Sequence, residues 1–312
     1  MHYRHVVTVV ASVTALIVAA CVAAEKPLAT HRHAPDGIQA GLVNDPARVD
    51  TGGGRLPDLI VDPEATAKHW VVRDEKMPAE FCSVQEGGIT AGLRRIIRFT
   101  VTTPNIGQAD VFVGSPLKHA DPNGDGDFSD NDGMFEFAPC HNHFHFRNYA
   151  VYKLIDAKTG YVWRAAKKGF CMLDTDPNPA NMGEPPKGDK NYWSCGTKTV
   201  DGFQGVSHGY ADTYIFYLGG QFFVLDGGDK QPVVPPGNYI IEVTVNPAFP
   251  LEPGKSRCTF ATDSDGKCHN FKESNYNNNT ARIAVTIPDH PGKGSGPEKD
   301  SKVYDYEVMK GT

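Results

Sequence analysis

The sequence contains no C-x-x-C pair, no excess of positive charge, no internal repeat and hardly a helical period. Each absence excludes something. Without closely paired cysteines, a sulfur-bound structural zinc is not expected. A formal net charge of -6 leaves no basic footprint for nucleic acid. The long apolar run from Val6 to Ala24 follows Arg4 and His5, and it is too short and poorly flanked for a stable membrane span. Residues 1–24 therefore read as a secretory signal of bacterial type. Two processing routes fit it. Val22-Ala23-Ala24 offers a small-residue cleavage site, whereas Val18-Ala19-Ala20-Cys21 resembles a lipobox in which Cys21 would carry a lipid anchor. The mature protein is then secreted, periplasmic or attached to the cell envelope, and its compartment is oxidising. Six cysteines remain there, Cys82, Cys140, Cys171, Cys195, Cys258 and Cys268, enough for three disulfides in fifteen possible connectivities.

What is present is strand. A chain of 312 residues has room for one large or two ordinary domains. Residues 25–54 are rich in Gly, Pro, Asp and His without periodicity and read as linker. Order begins at Leu56-Pro57-Asp58-Leu59-Ile60-Val61. Strands are predicted over Leu93–Thr103, Ala109–Gly114, Asn148–Ile155, Thr213–Leu218, Gln221–Leu225, Asn238–Val245 and Thr280–Ile287, with Tyr161–Ala165 returning on Asn148–Ile155 as a hairpin. Many short strands with Gly/Pro turns predict an all-β fold, an antiparallel β-sandwich with long loops and few helices. The ordered domain is placed at 55–290. The charged, Gly-rich segment 291–312 reads as a disordered tail.

Two motifs carry chemistry. In Pro139-Cys140-His141-Asn142-His143-Phe144-His145-Phe146 the three histidines stand at alternate positions, and in a strand such residues share one face. Neutral imidazole suits copper, zinc, iron or nickel. On a straight strand the outer two would be roughly 13 Å apart, so the segment is expected to bend if one ion takes all three. The bland alternative is a surface strand with a fortuitous histidine stripe. The second motif is Asp121-Pro122-Asn123-Gly124-Asp125-Gly126-Asp127-Phe128-Ser129-Asp130-Asn131-Asp132. Its Asp121, Asn123, Asp125, Asp127 and Asp132 oxygens and the central glycine match the spacing of an EF-hand-like Ca2+ loop. Its flanks do not look like a helix pair, and a solvated acidic turn is the alternative.

Cys140-His141-Asn142-His143-Phe144-His145 resembles the copper motif of the lysyl oxidases. Other blocks agree in order: Leu56-Pro57-Asp58-Leu59, Phe170-Cys171-Met172-Leu173-Asp174, Asp212-Thr213-Tyr214, Gly237-Asn238-Tyr239-Ile240 with Val245-Asn246-Pro247, and Glu273-Ser274-Asn275-Tyr276 with Asn278-Asn279. The resemblance spans residues 55–287. It implies Cu(II) ligands at His141, His143 and His145. It also implies a lysyl tyrosylquinone cofactor made from Tyr214 and Lys167, with Lys168 the neighbouring alternative. A Ca2+ site is implied at Asp58, the Leu59 carbonyl, Glu273, Asn275, Asn278 and Asn279, with Asn275 replacing an Asp of the animal enzymes. The bridge that spans the quinone tyrosine in those enzymes has no counterpart, since Tyr210 and Gly220 occupy its positions.

The same resemblance implies a Cys140–Cys195 disulfide. Cys258–Cys268 would close a short loop that the animal enzymes lack. The relatives' partners of Cys82 and Cys171 are here Gly88 and Pro177, which leaves Cys82–Cys171 as the third pair. The activity implied is oxidative deamination of a primary amine, peptidyl lysine or a small amine, to an aldehyde. Dioxygen is the oxidant, and hydrogen peroxide and ammonia are released. Asp212 and His208 lie close to Tyr214 in sequence, and Asp212 is the preferred base. Two other classes compete: a periplasmic copper-binding or copper-buffering module that never forms the quinone, and a calcium-stabilised adhesion module. The Lys167/Tyr214 pair discriminates, because neither alternative has a use for it.

Overall fold

The computed structural model describes residues 46–167, 169–228, 230–251, 256–289 and 294–299. The signal, the lipobox with Cys21 and Lys168 lie outside the described residues.

In chain order the strands are β1 (Trp70–Met77), β2 (Gly92–Phe99), β3 (Val101–Pro104), β4 (Val111–Gly114), β5 (Phe135–Ala138), β6 (His143–Phe146), β7 (Ala150–Asp156) and β8 (Val162–Arg164). They continue as β9 (Asp176–Pro177), β10 (Gln204–Val206), β11 (Tyr210–Tyr214), β12 (Phe222–Val224), β13 (Gly237–Val245), β14 (Ala261–Thr262), β15 (Cys268–His269) and β16 (Thr280–Ile287). Short helices α1 (Pro63–Lys68), α2 (Cys82–Gln85) and α3 (Pro116–Ala120) join them. The fold is all-β and its named strand pairs are antiparallel.

Alternation builds the main sheet, β16-β13-β7-β8. Along β13, Tyr239, Ile241, Val243 and Val245 are buried while the residues between them are at least partly open to solvent. Tyr152 and Leu154 of β7 and Ile283, Val285 and Ile287 of β16 complete the same inner face. A slip of one residue in any of these strands would turn its apolar set outward, so the register is strongly fixed. Opposite lie β1-β2-β12 and β3-β11-β9. Phe99 bridges the two layers, stacked on Phe223 at 4.9 Å and edge-on to Tyr152 at 5.2 Å. The remaining pairs, β4 with β10, β5 with β6 and β14 with β15, are two-stranded flaps on this sandwich.

The expected hairpin forms, with Leu154 opposite Trp163. Other expectations need correction. The run Leu93–Thr103 is two strands, because Thr100 leaves the ladder and bonds the backbone of His69. The Thr213 strand lies earlier, at Tyr210–Tyr214, so Tyr214 ends it. The strand β1 has no apolar alternation in sequence. Its charges are matched by the neighbouring strand, Asp74 by the directly opposite Arg95 at 3.0 Å and Glu75 by Arg98, further along β2, at 2.6 Å. Part of the expected linker is docked: the Asp50 carbonyl accepts from the Asp110 amide at 2.9 Å, and the Asp50 amide donates to the Asp110 carboxylate at 3.1 Å. Part of the expected tail is docked as well, Ser295 and Val72 exchanging backbone hydrogen bonds of 2.7 and 2.8 Å.

Three disulfides are formed: Cys82–Cys140, Cys171–Cys195 and Cys258–Cys268. The third agrees with expectation. The expected Cys140–Cys195 and Cys82–Cys171 pairs are wrong, the four cysteines having exchanged partners. Asp174 accepts hydrogen bonds from the amides of Asn191 and Tyr192. That closes the loop 174–191 and lays Cys195 beside Cys171. Cys140 is left facing α2, whose first residue is Cys82.

Candidate active site

The histidine segment bends, as the distance argument requires of a site for one ion. Only His143 and His145 lie in β6; His141 sits in the turn before it. Asn142 takes a left-handed φ of +51°, a conformation that Asn tolerates better than most residues. The bend brings the rings together, with centroids 5.5 Å apart for His141–His143, 5.1 Å for His141–His145 and 5.0 Å for His143–His145. One nitrogen from each ring lies within 4.8 Å of the other two. A copper or zinc ion sits about 2 Å from each imidazole nitrogen, so small side-chain shifts close this volume on one ion. Among the described residues no other group of three His, Cys, Asp or Glu side chains gathers in this way.

Neighbouring elements hold the rings. Phe146 and Phe170 form a backbone bridge, the Phe146 amide donating to the Phe170 carbonyl at 2.6 Å. This lays Phe170 against the end of β6. Gly169 then lies so close that a Cβ there would come within 2.3 Å of Nδ1 of His145. The buried Gln204 amide donates to the carbonyls of Phe144 and Cys195 and accepts from Met172, tying three segments together.

The same bridge delivers Lys167. Its Nζ stands 4.9 Å from the centroid of the Tyr214 ring and 5.4 Å from that of Phe170. Lys167 also lines a small polar pocket with His141 and His145. On its other side it lines a cavity of about 260 Å³ with Ala150, Val151, Tyr152, Arg164, Ala165 and Phe170. One lysine thus stands between the histidines, the tyrosine and an open cavity.

Tyr214 is buried against Phe170 at 5.2 Å and Tyr149 at 6.3 Å. Its hydroxyl donates to the Cys171 carbonyl at 2.7 Å and accepts from the Cys171 amide at 2.9 Å. Burial pushes the phenol well above its ordinary pKa, and the Asp212 carboxylate adds to the shift. Asp212 precedes it by two residues on β11 and so faces the same side. Burial pushes this carboxyl well above the usual carboxylate range, while the Tyr214 hydroxyl and the Lys167 ammonium pull it back. The hydroxyl is committed to Cys171, so neither Asp212 oxygen has a well-aligned hydrogen-bond partner. His208 is buried elsewhere, its amide on Asp110 and its ring 3.9 Å from Glu184.

The two acidic regions differ. In the loop at Asp121–Asp132, Asp121 accepts from the amides of Gly124, Asp125 and Gly126, Asn123 from Asp125, Asp125 from Asp127, and Asp127 from Ser129. Asp132 binds Nδ1 of His119 at 2.6 Å. Its oxygens are occupied by the loop's own backbone and a neighbouring ring.

In the second region, Glu273 is 4 % exposed and accepts from the Leu59 amide, Asn246 and Asn279. Burial raises its pKa to about 7. Asn278 donates to Asp58 at 3.0 Å, and the Asn275 side chain accepts from the Asn277 amide. The Asn278 and Asn279 Oδ1 atoms are buried without a hydrogen-bond partner.

A profile of the lysyl oxidase family matches residues 74–259. Among curated proteins, the human lysyl oxidase homolog 1 is 28% identical over 228 residues, which are 69% of this chain and 34% of that protein. The rat protein-lysine 6-oxidase is 27% identical over 253 residues, 77% of this chain and 49% of its own length. The chicken lysyl oxidase homolog 2 is 26% identical over 242 residues, 73% and 27%. The chain spans half or less of the length of these three relatives.

Proposed function

This chain belongs to the lysyl oxidase family, and from that premise we propose that it is a copper amine oxidase. It oxidises the primary amine of peptidyl lysine or of a small amine to an aldehyde. Copper is held by His141, His143 and His145, and lysyl tyrosylquinone forms from Lys167 and Tyr214. The observation that carries this reading is the lysine ammonium 4.9 Å from the tyrosine ring. Nothing in a copper buffer or an adhesion module would require that approach.

When present, copper and the quinone would supply the electron transfer, with dioxygen as acceptor, one water giving the aldehyde its oxygen, and hydrogen peroxide and ammonia as by-products. The chain supplies position, a buried setting for the Tyr214 ring and a proton acceptor. Tyr214 is fixed through its hydroxyl by the Cys171 backbone. Phe170 and Tyr149 shield the ring from solvent. The cavity beside Lys167, lined largely by apolar groups, gives an amine its approach. Asp212 is the base: its carboxyl lies two residues before Tyr214 on the same side of β11 and is held well above the usual carboxylate range by burial, and it takes and returns a proton during turnover.

Calcium enters the same reading at two places. At Asp58, the Leu59 carbonyl, Glu273, Asn275, Asn278 and Asn279, turning the two buried amides about would offer Oδ1 atoms that now lack partners. At the loop Asp121–Asp132 the support is residue spacing alone. Export through the segment 1–24, with or without lipidation of Cys21, accords with three disulfides. No helix among the described residues is long and apolar enough to cross a membrane.

The test is hydrogen peroxide release by copper-loaded, aerated protein across a panel of alkylamines, diamines and lysine peptides. Release that disappears in Lys167→Arg and in Tyr214→Phe is the expected result. Stoichiometric copper binding with no peroxide from any amine would return the protein to the class of copper-binding modules.

A further inference from the structure

The residue that sequence reasoning passed over is Glu86. Its Oε1 lies 3.3 Å from Nε2 of His141, and its side chain is 23% exposed. It sits in a polar pocket with Ser83, His141, His145 and Lys167, closed by glycines. That pocket measures about 10 Å³, room for one water at most and none for a substrate. The carboxylate therefore has a histidine ring to address and no substrate amine. Glu136, directly across the strand pair from His145, is unavailable for this role because it pairs with Arg147.

The placement of Glu86 is covalently enforced. It caps α2, its amide donating to the Cys82 carbonyl at 2.8 Å. Cys82, the first residue of that helix, is bonded to Cys140, the residue immediately before His141. The backbone of α2 and the start of the histidine segment are thus held 5.5 Å apart, Cα to Cα, across 58 residues of sequence. Ser83, the next residue of α2, accepts from the amide of Gly220 and so fixes the far wall of the pocket.

We propose that Glu86 is the positioning carboxylate of the three-histidine site, and that the Cys82–Cys140 disulfide keeps it in place. It accepts the Nε2–H of His141. The ring's proton is thereby assigned to Nε2, and the Nδ1 lone pair is turned to the ion. A metal-bound histidine gains basicity and a fixed orientation from such a partner. The inference rests on the metal site under Proposed function but not on the quinone or on turnover, so its test reads copper alone.

The test uses the full chain in copper-free form, titrated with Cu(II) against a chromophoric chelator and followed by electron paramagnetic resonance. Five proteins are compared: wild type, Glu86→Ala, Glu86→Gln, the double variant Cys82→Ser/Cys140→Ser and the triple variant that adds Glu86→Ala to it. Glu86→Ala should keep one ion per chain, weaken it by about 10- to 100-fold, the range for lost outer partners, and alter the copper spectrum. Glu86→Gln, which still presents an acceptor oxygen, should recover part of the affinity.

The cysteine variant should lose a similar factor, and adding Glu86→Ala to it should cost little more. Should Glu86→Ala fail to fold, Glu86→Gln and the cysteine variant carry the same comparison. Unchanged affinity and spectrum in the Glu86 variants would overturn the proposal. Fully additive losses in the triple variant would overturn the disulfide's part in it. A wild type that binds no copper would instead overturn the metal site beneath it.

Discussion

The histidine corner and the acidic loop before it are both legible as motifs in the sequence, a few residues apart, yet the fold treats them in opposite ways. His143 and His145 are each 8% exposed. Elements distant in sequence close over the corner: α2 through a disulfide, Phe170 through a backbone bridge, and Gly169 against a ring. The loop at Asp121–Asp132 is largely exposed, and its side chains hydrogen-bond mainly amides two to five residues away. Spacing alone makes a motif. Long-range closure makes it a site, because burial strengthens ligand–ion electrostatics and fixes the geometry.

The sharpest way to break this contrast is to remove one ligand from each region. His143→Ala should weaken copper by more than the roughly 100-fold expected for an outer partner, whereas Asp125→Ala should leave copper untouched. Equal effects in a copper titration would dissolve the distinction. The frame of the corner comes next. Arg98 is buried, doubly bonded to Glu75, and donates to the carbonyls of Phe216 and Leu218 just after Tyr214. Arg98→Ala removes both short bonds to a buried carboxylate and leaves it only Arg73, 3.8 Å away, so it should cost on the order of 3 kcal/mol and lower the melting temperature by on the order of 10 °C. A shift of only a degree or two in a thermal scan would show that the pair is not part of the frame.

A smaller effect separates the two acidic regions by pH. The Glu273 carboxyl, normally near 4.5, is raised to about 7 in the fold. The folded protein therefore holds a proton that the unfolded chain releases. Its contribution is fully present below about pH 4.5 and is lost as pH rises to about 7, by roughly 3 kcal/mol. Denaturant unfolding in chelator should show that decline, and Glu273→Gln should flatten it. A flat wild-type profile would contradict the burial argument. The smallest effect belongs to the loop: Asp127→Asn should change stability by no more than about 0.5 kcal/mol, and a larger loss would reveal a structural role that its exposure does not suggest.

Much of this was readable in advance, for identifiable reasons. The strands β7, β13 and β16 carry clean alternation, and the main sheet was legible from it. That the histidine segment bends followed from strand rise and ligand distance, whereas the place of the bend, at Asn142, did not. Lys167 and Tyr214 were reachable only through the family resemblance, since a lysine in a loop and a tyrosine at a strand end carry no local signal. Where partners far apart in sequence decide the outcome, reading failed. The charges of β1 hid a strand because Arg95 and Arg98 on β2 neutralise them. The cysteine pairs exchanged because the closed loop 174–191 brings Cys195 to Cys171. With that pairing wrong, Glu86 was invisible: the Cys82–Cys140 bond carries it to His141.

The central claim is that Lys167 and Tyr214 become one covalent cofactor. It is tested most directly by digesting copper-loaded, aerated protein and analysing the peptides by mass spectrometry. The account predicts a cross-linked peptide containing both positions, and in the intact protein a quinone absorption that phenylhydrazine abolishes. Lys167 and Tyr214 recovered in separate, unmodified peptides after full copper loading would contradict it.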